Sequence, residues 1–275
     1  MNDIEQLSAP TSQLINVLSP WMQHVRILDW DGTQGFAPIL KRSAIIRQFD
    51  ALKVILKLVS DECGYAAVPL LRAACEELLW LSYFHTLSTD DSKLLAELLV
   101  KRGLLEDLEA QAGEVGADVM QELGLLAQLQ FHRTQESAIT DKLKELGKRL
   151  SWPKNRTVPS TWFIAKATNS EKLYSFLYHA TSRYVHFSPV ELGRRGWGRP
   201  GRLEIASEPY ERIWALFSLS WGTRLFGLTL NAVLEDFVAQ GVPEPDHKGL
   251  QTTFEAIADV PLIPIITPEE LVWQR

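Results

Sequence analysis

Cysteine is scarce in this chain: Cys63 and Cys75 are the only two among 275 residues, and they form no C-x-x-C pair. That spacing excludes a disulfide framework and a cysteine-rich zinc site. A chain of this length buries roughly three quarters of its unfolded surface and needs no covalent staple. Both thiols fall in apolar helical stretches, where free cysteine behaves as a small hydrophobe, so the expected setting is reducing and cytoplasmic. Neither H-E-x-x-H nor G-x-x-x-x-G-K-[ST] occurs, which removes the two commonest signals for a metalloprotease or a P-loop. Uninterrupted apolar runs are missing too. The most apolar long stretch, Ile213 to Leu234, carries Arg224 near its middle with Thr223 beside it. A charge there is costly in lipid, so the stretch reads as a buried core helix and no membrane partner is expected. The opening MNDIEQLSAP lacks a basic segment followed by an apolar core, so no secretory signal is expected.

What is present is helix after helix. The expected fold class is all-α: a single domain over 1–275 forming a bundle of about seven to nine helices, with an N-terminal helical segment (1–36), a core bundle (37–240) and an extended C-terminal arm (241–275). Ser19-Pro20 reads as a cap and first residue of a helix reaching Trp30. Helical spacing recurs over 38–62, and Pro69 sits acceptably in the first turn of a helix from Ala66 to Thr86. Thr89-Asp90-Asp91 caps a helix closed by Gly113 or Gly116, and a longer one covers 118–150. Pro153 and Pro159 break the following stretch, and Ser170–Phe187 is helical again. Residues 188–209 hold four glycines and three prolines and read as a loop. The tail Val260-Pro261-Leu262-Ile263-Pro264-Ile265-Ile266 is apolar but proline-broken, and a homodimer is expected from it, with Ile263, Ile265 and Ile266 as contacts.

Charge is uneven. Between Lys142 and Arg202 lie 13 Lys/Arg and three acids, a net +10, within a chain of net charge −6. The loop in this region carries Arg194, Arg195, Arg199 and Arg202 around Trp197, and the adjoining helix carries Arg183. Guanidinium forks grip phosphate and an indole stacks on a base, so these six are the candidate phosphate-binding residues. The plain alternative is a solvated loop clasping acidic neighbours. Gly196-Trp197-Gly198-Arg199-Pro200-Gly201 matches G-x-G-x-x-G literally. It follows no strand and opens no helix, so no dinucleotide cofactor is indicated.

Two helices carry the sharper signals. In VPLLRAACEELLWLSYF, Arg72 and Glu76 stand one turn apart amid Leu, Ala, Trp and Phe, where charges are seldom buried without partners. In the second, Tyr178, Ser182 and His186 are spaced by four and fall on one helical stripe. His179 and His186 are about 10 Å apart along such a helix and cannot share a metal ion. The candidate catalytic residues are therefore His186, Arg72, Glu76, Ser182 and Tyr178, with no metal and no cofactor. These residues are expected to meet in space.

Together, Leu71, Arg72 and Glu76 followed by Tyr178, Ser182 and His186, with Asp61-Glu62-Cys63-Gly64-Tyr65-Ala66-Ala67 before them, resemble an uncharacterised bacterial all-helical family of unknown function (DUF5677-like). The resemblance spans roughly 40–235 and implies a helical fold and no established activity. The helical HEPN ribonucleases of toxin and phage-defence systems offer a more distant analogy. Their Arg and later His have four to six residues between them, whereas Arg183 and His186 have two, so that signature is absent. Three functions stay open. The chain is a binding or interaction protein with a polar cluster, in bacterial defence or stress response. Alternatively it is an RNA- or phosphate-ligand-binding protein or ribonuclease-like toxin using His186 and the arginine loop, or a small-molecule enzyme. A deep apolar pocket ending on the cluster would favour the small-molecule enzyme.

Overall fold

The computed structural model describes residues 3–154, 156–199, 201–206 and 208–258. The architecture is all-α. In order come α1 (Asp3–Arg26), α2 (Ala37–Ser60), α3 (Val68–Thr86), α4 (Thr89–Glu122), α5 (Leu126–Arg149), α6 (Thr161–Ala167), α7 (Glu171–Leu173), α8 (His179–Val185), α9 (Pro189–Gly193), α10 (Glu211–Ala239) and α11 (His247–Ala258). The centre is α10, which packs against α1, α2 and α3. Its residues are apolar nearly all round, and Phe217, Phe226 and Phe237 are completely buried; each such side chain contributes about 2–3 kcal/mol relative to exposure. Thr223, next to the arginine that argued against a lipid span, is buried and shares a 3.1 Å hydrogen bond with Thr11 of α1. Among the described residues no helix is long and apolar enough to cross a membrane.

The segment before α3 shows why Gly64 is glycine. A 3-10 turn, Gly64–Ala67, lies against α10 so closely that a Cβ on Gly64 would stand 2.5 Å from the Ala215 Cα. The Glu211 carboxylate accepts from the Gly64 and Tyr65 amides, fixing where α3 starts.

Several elements differ from the sequence expectation. Helix α1 runs straight through Pro10 and Pro20 instead of starting at Ser19. Leu7, Leu14, Leu18, Trp21, Met22 and Val25 are all buried along it, and that burial outweighs the roughly 3 kcal/mol proline penalty. Ser19 turns back to the Ile15 carbonyl at 2.7 Å rather than capping. The helix ends at Arg26, short of Trp30, where the buried Arg42 guanidinium collects the carbonyls of His24, Val25 and Ile27 at 3.3, 3.0 and 2.5 Å. The helix expected over 118–150 is split. Gly116 kinks α4, and Gly124, at φ +70°, turns the chain into α5. A left-handed residue there is adopted by glycine at no steric cost. The Gly/Arg/Trp loop is an antiparallel hairpin, with β1 (Gly196–Arg199) paired to β2 (Arg202–Ile205) and Trp197 opposite Glu204. Part of the supposedly extended arm is α11, whose Leu250, Thr253 and Ile257 are buried and which packs on α1 and α10. Ile263, Ile265 and Ile266, on which the homodimer expectation rests, lie outside the described residues.

Candidate functional site

Helix α3 carries the first half of the site. Arg72 and Glu76 occupy one face a turn apart, and Arg72 Nη1 bonds Glu76 Oε2 at 2.6 Å. The pair does not stand alone. Arg72 Nε donates to Ser182 Oγ at 2.9 Å, and the guanidinium lies 3.5 Å from the centroid of the Tyr178 ring. The arginine side chain is 14% exposed and the glutamate 40%. Glu76 Oε1 receives only a 3.4 Å bond from Thr161, the first residue of α6. Arg72 is thus a strut between α3 and α8, while Glu76 keeps one oxygen toward solvent.

The partner face is shaped by a π turn, Tyr174–Tyr178, between α7 and α8. Such a wide turn inserts a residue into the helical register and is common at functional sites. Here Tyr174 stacks on Tyr178 at 4.4 Å, and Trp162 of α6 leans on Tyr174 at 5.5 Å. The result is a ladder from Arg72 through two phenols to an indole on the surface. Burial pushes the Tyr174 hydroxyl pKa up, with Tyr178 adding to the effect and Arg72 opposing it. Ser182 Oγ accepts from Arg72 and donates to the Tyr178 carbonyl at 2.6 Å. Its proton is therefore directed at backbone and not at a base, which is the wrong arrangement for a nucleophile.

His186 closes α8, its amide still bonding the Ser182 carbonyl at 3.0 Å. The helix stops at Val185, and His186 is an extended, exposed cap residue with φ −110° and ψ 158°. The chain must leave the helix there because Ser188 caps α9, accepting from the Glu191 amide, and Pro189 opens it. No hydrogen bond joins the His186 ring to Arg72 or Glu76 among the described residues.

Beside Glu76 opens a cavity of about 520 Å³ between α2, α3 and α4. Its wall is mostly apolar, with Leu40, Ala44, Trp80, Leu81, Phe84 and Leu99, and Glu76, Glu77 and Arg47 form a polar edge. That volume suits a small organic ligand. Glu77 is ion-paired to Arg47, and its side chain is nine-tenths buried. Burial pushes its carboxyl pKa up, while Gln48 and Arg47 pull it down. Glu77 Oε2 and Gln48 Oε1 are both buried without a hydrogen-bond partner among the described residues. A larger cavity, about 990 Å³, lies between Phe176, Trp221 and Phe254, and none of the motif residues lines it.

Two arginines of the expected phosphate clamp are engaged with the bundle. Arg194 is 7% exposed, paired with Glu191 at 3.2 Å and 4.7 Å from the Trp214 ring centroid. Burial pushes the Glu191 carboxyl pKa up, while bonds from Tyr184 and Arg194 oppose it. Arg195 lies over Tyr65 at 5.6 Å. These two arginines fasten the hairpin onto the bundle. Arg183 and Arg202 are exposed, and the side chains of Trp197 and Arg199 lie outside the described set. Both cysteines are free, and burial pushes the Cys75 thiol up to about 12. No cluster of His, Cys, Asp and Glu among the described residues has the arrangement of a metal site.

Sequence reasoning missed Glu77, Trp162 and Tyr174. The adjacent acids Glu76-Glu77 in an apolar helix were a usable signal, since neighbours about 100° apart cannot share one stripe. Trp162 and Tyr174 gave none, because their contact depends on a loop and a π turn.

The model of a family of unknown function (DUF5677) matches residues 40–200, which contain α3, the π turn and the cavity wall. No curated protein and no solved structure matches the chain.

Proposed function

Because the chain belongs to this family of unknown function (DUF5677), the family lends it no activity, and we propose that it is a helical module binding a small organic molecule in the cavity between α2, α3 and α4. One observation carries the reading: Glu76 is at once part of the cavity wall and the anion held by the Arg72 strut. A carboxylate fixed in this way orients a polar head group, while Trp80 and Phe84 receive an apolar body. The ligand should therefore carry a hydrogen-bond donor at one end of a mainly hydrocarbon or aromatic frame. Binding is favoured over hydrolysis because Ser182 has its proton on a backbone carbonyl and His186 is a full turn away at an exposed helix end. Two free thiols, one of them buried, support a reducing compartment.

The test is fluorescence titration with N-phenyl-1-naphthylamine, a neutral apolar amine that brightens when shielded from water. Ala73 is an exposed residue lining the cavity, so Ala73→Trp fills part of the space without disturbing the core. Affinity should fall about tenfold, with the melting temperature held. Equal binding by wild type and variant would refute the proposal.

A further inference from the structure

A third cavity, of about 450 Å³, lies where α5 ends and the chain turns back toward α6. Four cations line it: Lys144 and Lys148 one turn apart on α5, then Lys154 and Arg156 in the following loop. Among the described residues no carboxylate is in the wall. Its floor is Trp152, whose indole lies flat against α5 because position 147 is glycine, where a Cβ would meet the ring at 2.6 Å. Trp152 is fixed from behind by a 2.7 Å bond from its Nε1 to the Tyr83 hydroxyl. Thr157 at the rim accepts from Arg102 at 2.7 Å, which leaves its own hydroxyl proton to donate.

We propose that this cavity is a binding site for a phosphate-bearing ligand with two or more negative charges, of the size of a nucleoside diphosphate. A charged face is often only solvated, but these cations are unevenly paired. Lys144 has Asp141 at 3.2 Å, whereas Lys148, Lys154 and Arg156 have no carboxylate within 4 Å among the described residues. Four like charges around one concave space repel each other, and a multivalent anion relieves that repulsion. The indole and Pro153 give an apolar surface for the uncharged part of the ligand. The site is independent of the cavity beside Glu76, and either can fail alone.

Calorimetric titration of the whole chain with ADP and with inorganic pyrophosphate tests it. Both should bind at low ionic strength, about 20 mM, and weaken steeply as salt rises. Lys148→Glu with Lys154→Glu should reduce affinity about tenfold or more. The neutral pair Lys148→Gln with Lys154→Gln, checked for an unchanged melting temperature, should show a smaller loss in the same direction. Lys166→Glu, outside the cavity wall, should bind as wild type does. Absence of binding, equal affinity in the charge-reversed variant, or an equal loss in Lys166→Glu overturns the site. So does tight binding of a single-stranded oligoribonucleotide with a 5′-hydroxyl end that pyrophosphate does not displace, because that describes a nucleic-acid groove.

Discussion

Replacing Arg72 by methionine removes the charge and the five donors while keeping most of the aliphatic stem. Three interactions go. The ion pair with Glu76 is an i,i+4 pair whose acid is 40% exposed, so solvent screening leaves it about 0.5 kcal/mol. The bond to Ser182 contributes about 1 kcal/mol, and Ser182 is not stranded because it retains the Tyr178 carbonyl. The guanidinium over Tyr178, at 3.5 Å and mostly shielded, contributes about 1 kcal/mol. Arg72→Met should therefore cost about 2–3 kcal/mol, read as the midpoint shift in urea unfolding at unchanged slope. The corresponding fall in melting temperature is about 5 °C for a chain of this size. Glu76→Gln should cost under about 1 kcal/mol, since an exposed partner is easily replaced by water. The reasoning is wrong if Arg72→Met costs less than about 0.5 kcal/mol, or if Glu76→Gln costs as much as Arg72→Met. The second result would mean that the charge of Glu76, and not the strut, holds α3 to α8.

Glu77 has a pKa raised in the folded state, chiefly by burial, so its contribution to stability is greatest below its unfolded pKa and declines as pH rises through the folded value. Glu77→Gln should accordingly gain on wild type between pH 4 and pH 7 in urea unfolding, and a loss over that interval would contradict the buried carboxyl. Gly147→Ala places a methyl against the Trp152 ring at 2.6 Å and should destabilise by about 1–3 kcal/mol; a neutral result would show that the indole can slide off α5. His186→Ala, at an exposed cap, should change stability by less than about 0.5 kcal/mol and leave naphthylamine binding as it was, so a tenfold loss of that binding would restore His186 to the site.

Helix type was legible where burial follows a simple period. The span of α3, the central place of α10 and the closeness of Arg72 to a Tyr178/Ser182 face all follow from 3.6-residue spacing and from the need of a shielded cation for partners. What was not legible depended on distant packing. Pro20 inside α1 is tolerated only because Leu18, Trp21, Met22 and Val25 are buried around it. The stop of α1 at Arg26 depends on Arg42, a residue of another helix. That His186 would be the extended, exposed C-cap of α8 was not legible, because the stop depends on α9 opening at Pro189. Arg194 looked like a phosphate ligand because its buried acid, Glu191, is three residues away in a helix that the proline-rich sequence concealed.

The cavity beside Glu76 is the centre of the account, and a crystal structure grown with N-phenyl-1-naphthylamine tests it most directly. The account predicts ring density in the cavity against Trp80 and Phe84, with the amine nitrogen within hydrogen-bond reach of Glu76. Density confined to the larger cavity by Trp221 and Phe254, or a naphthylamine-free cavity at saturating ligand, would contradict it.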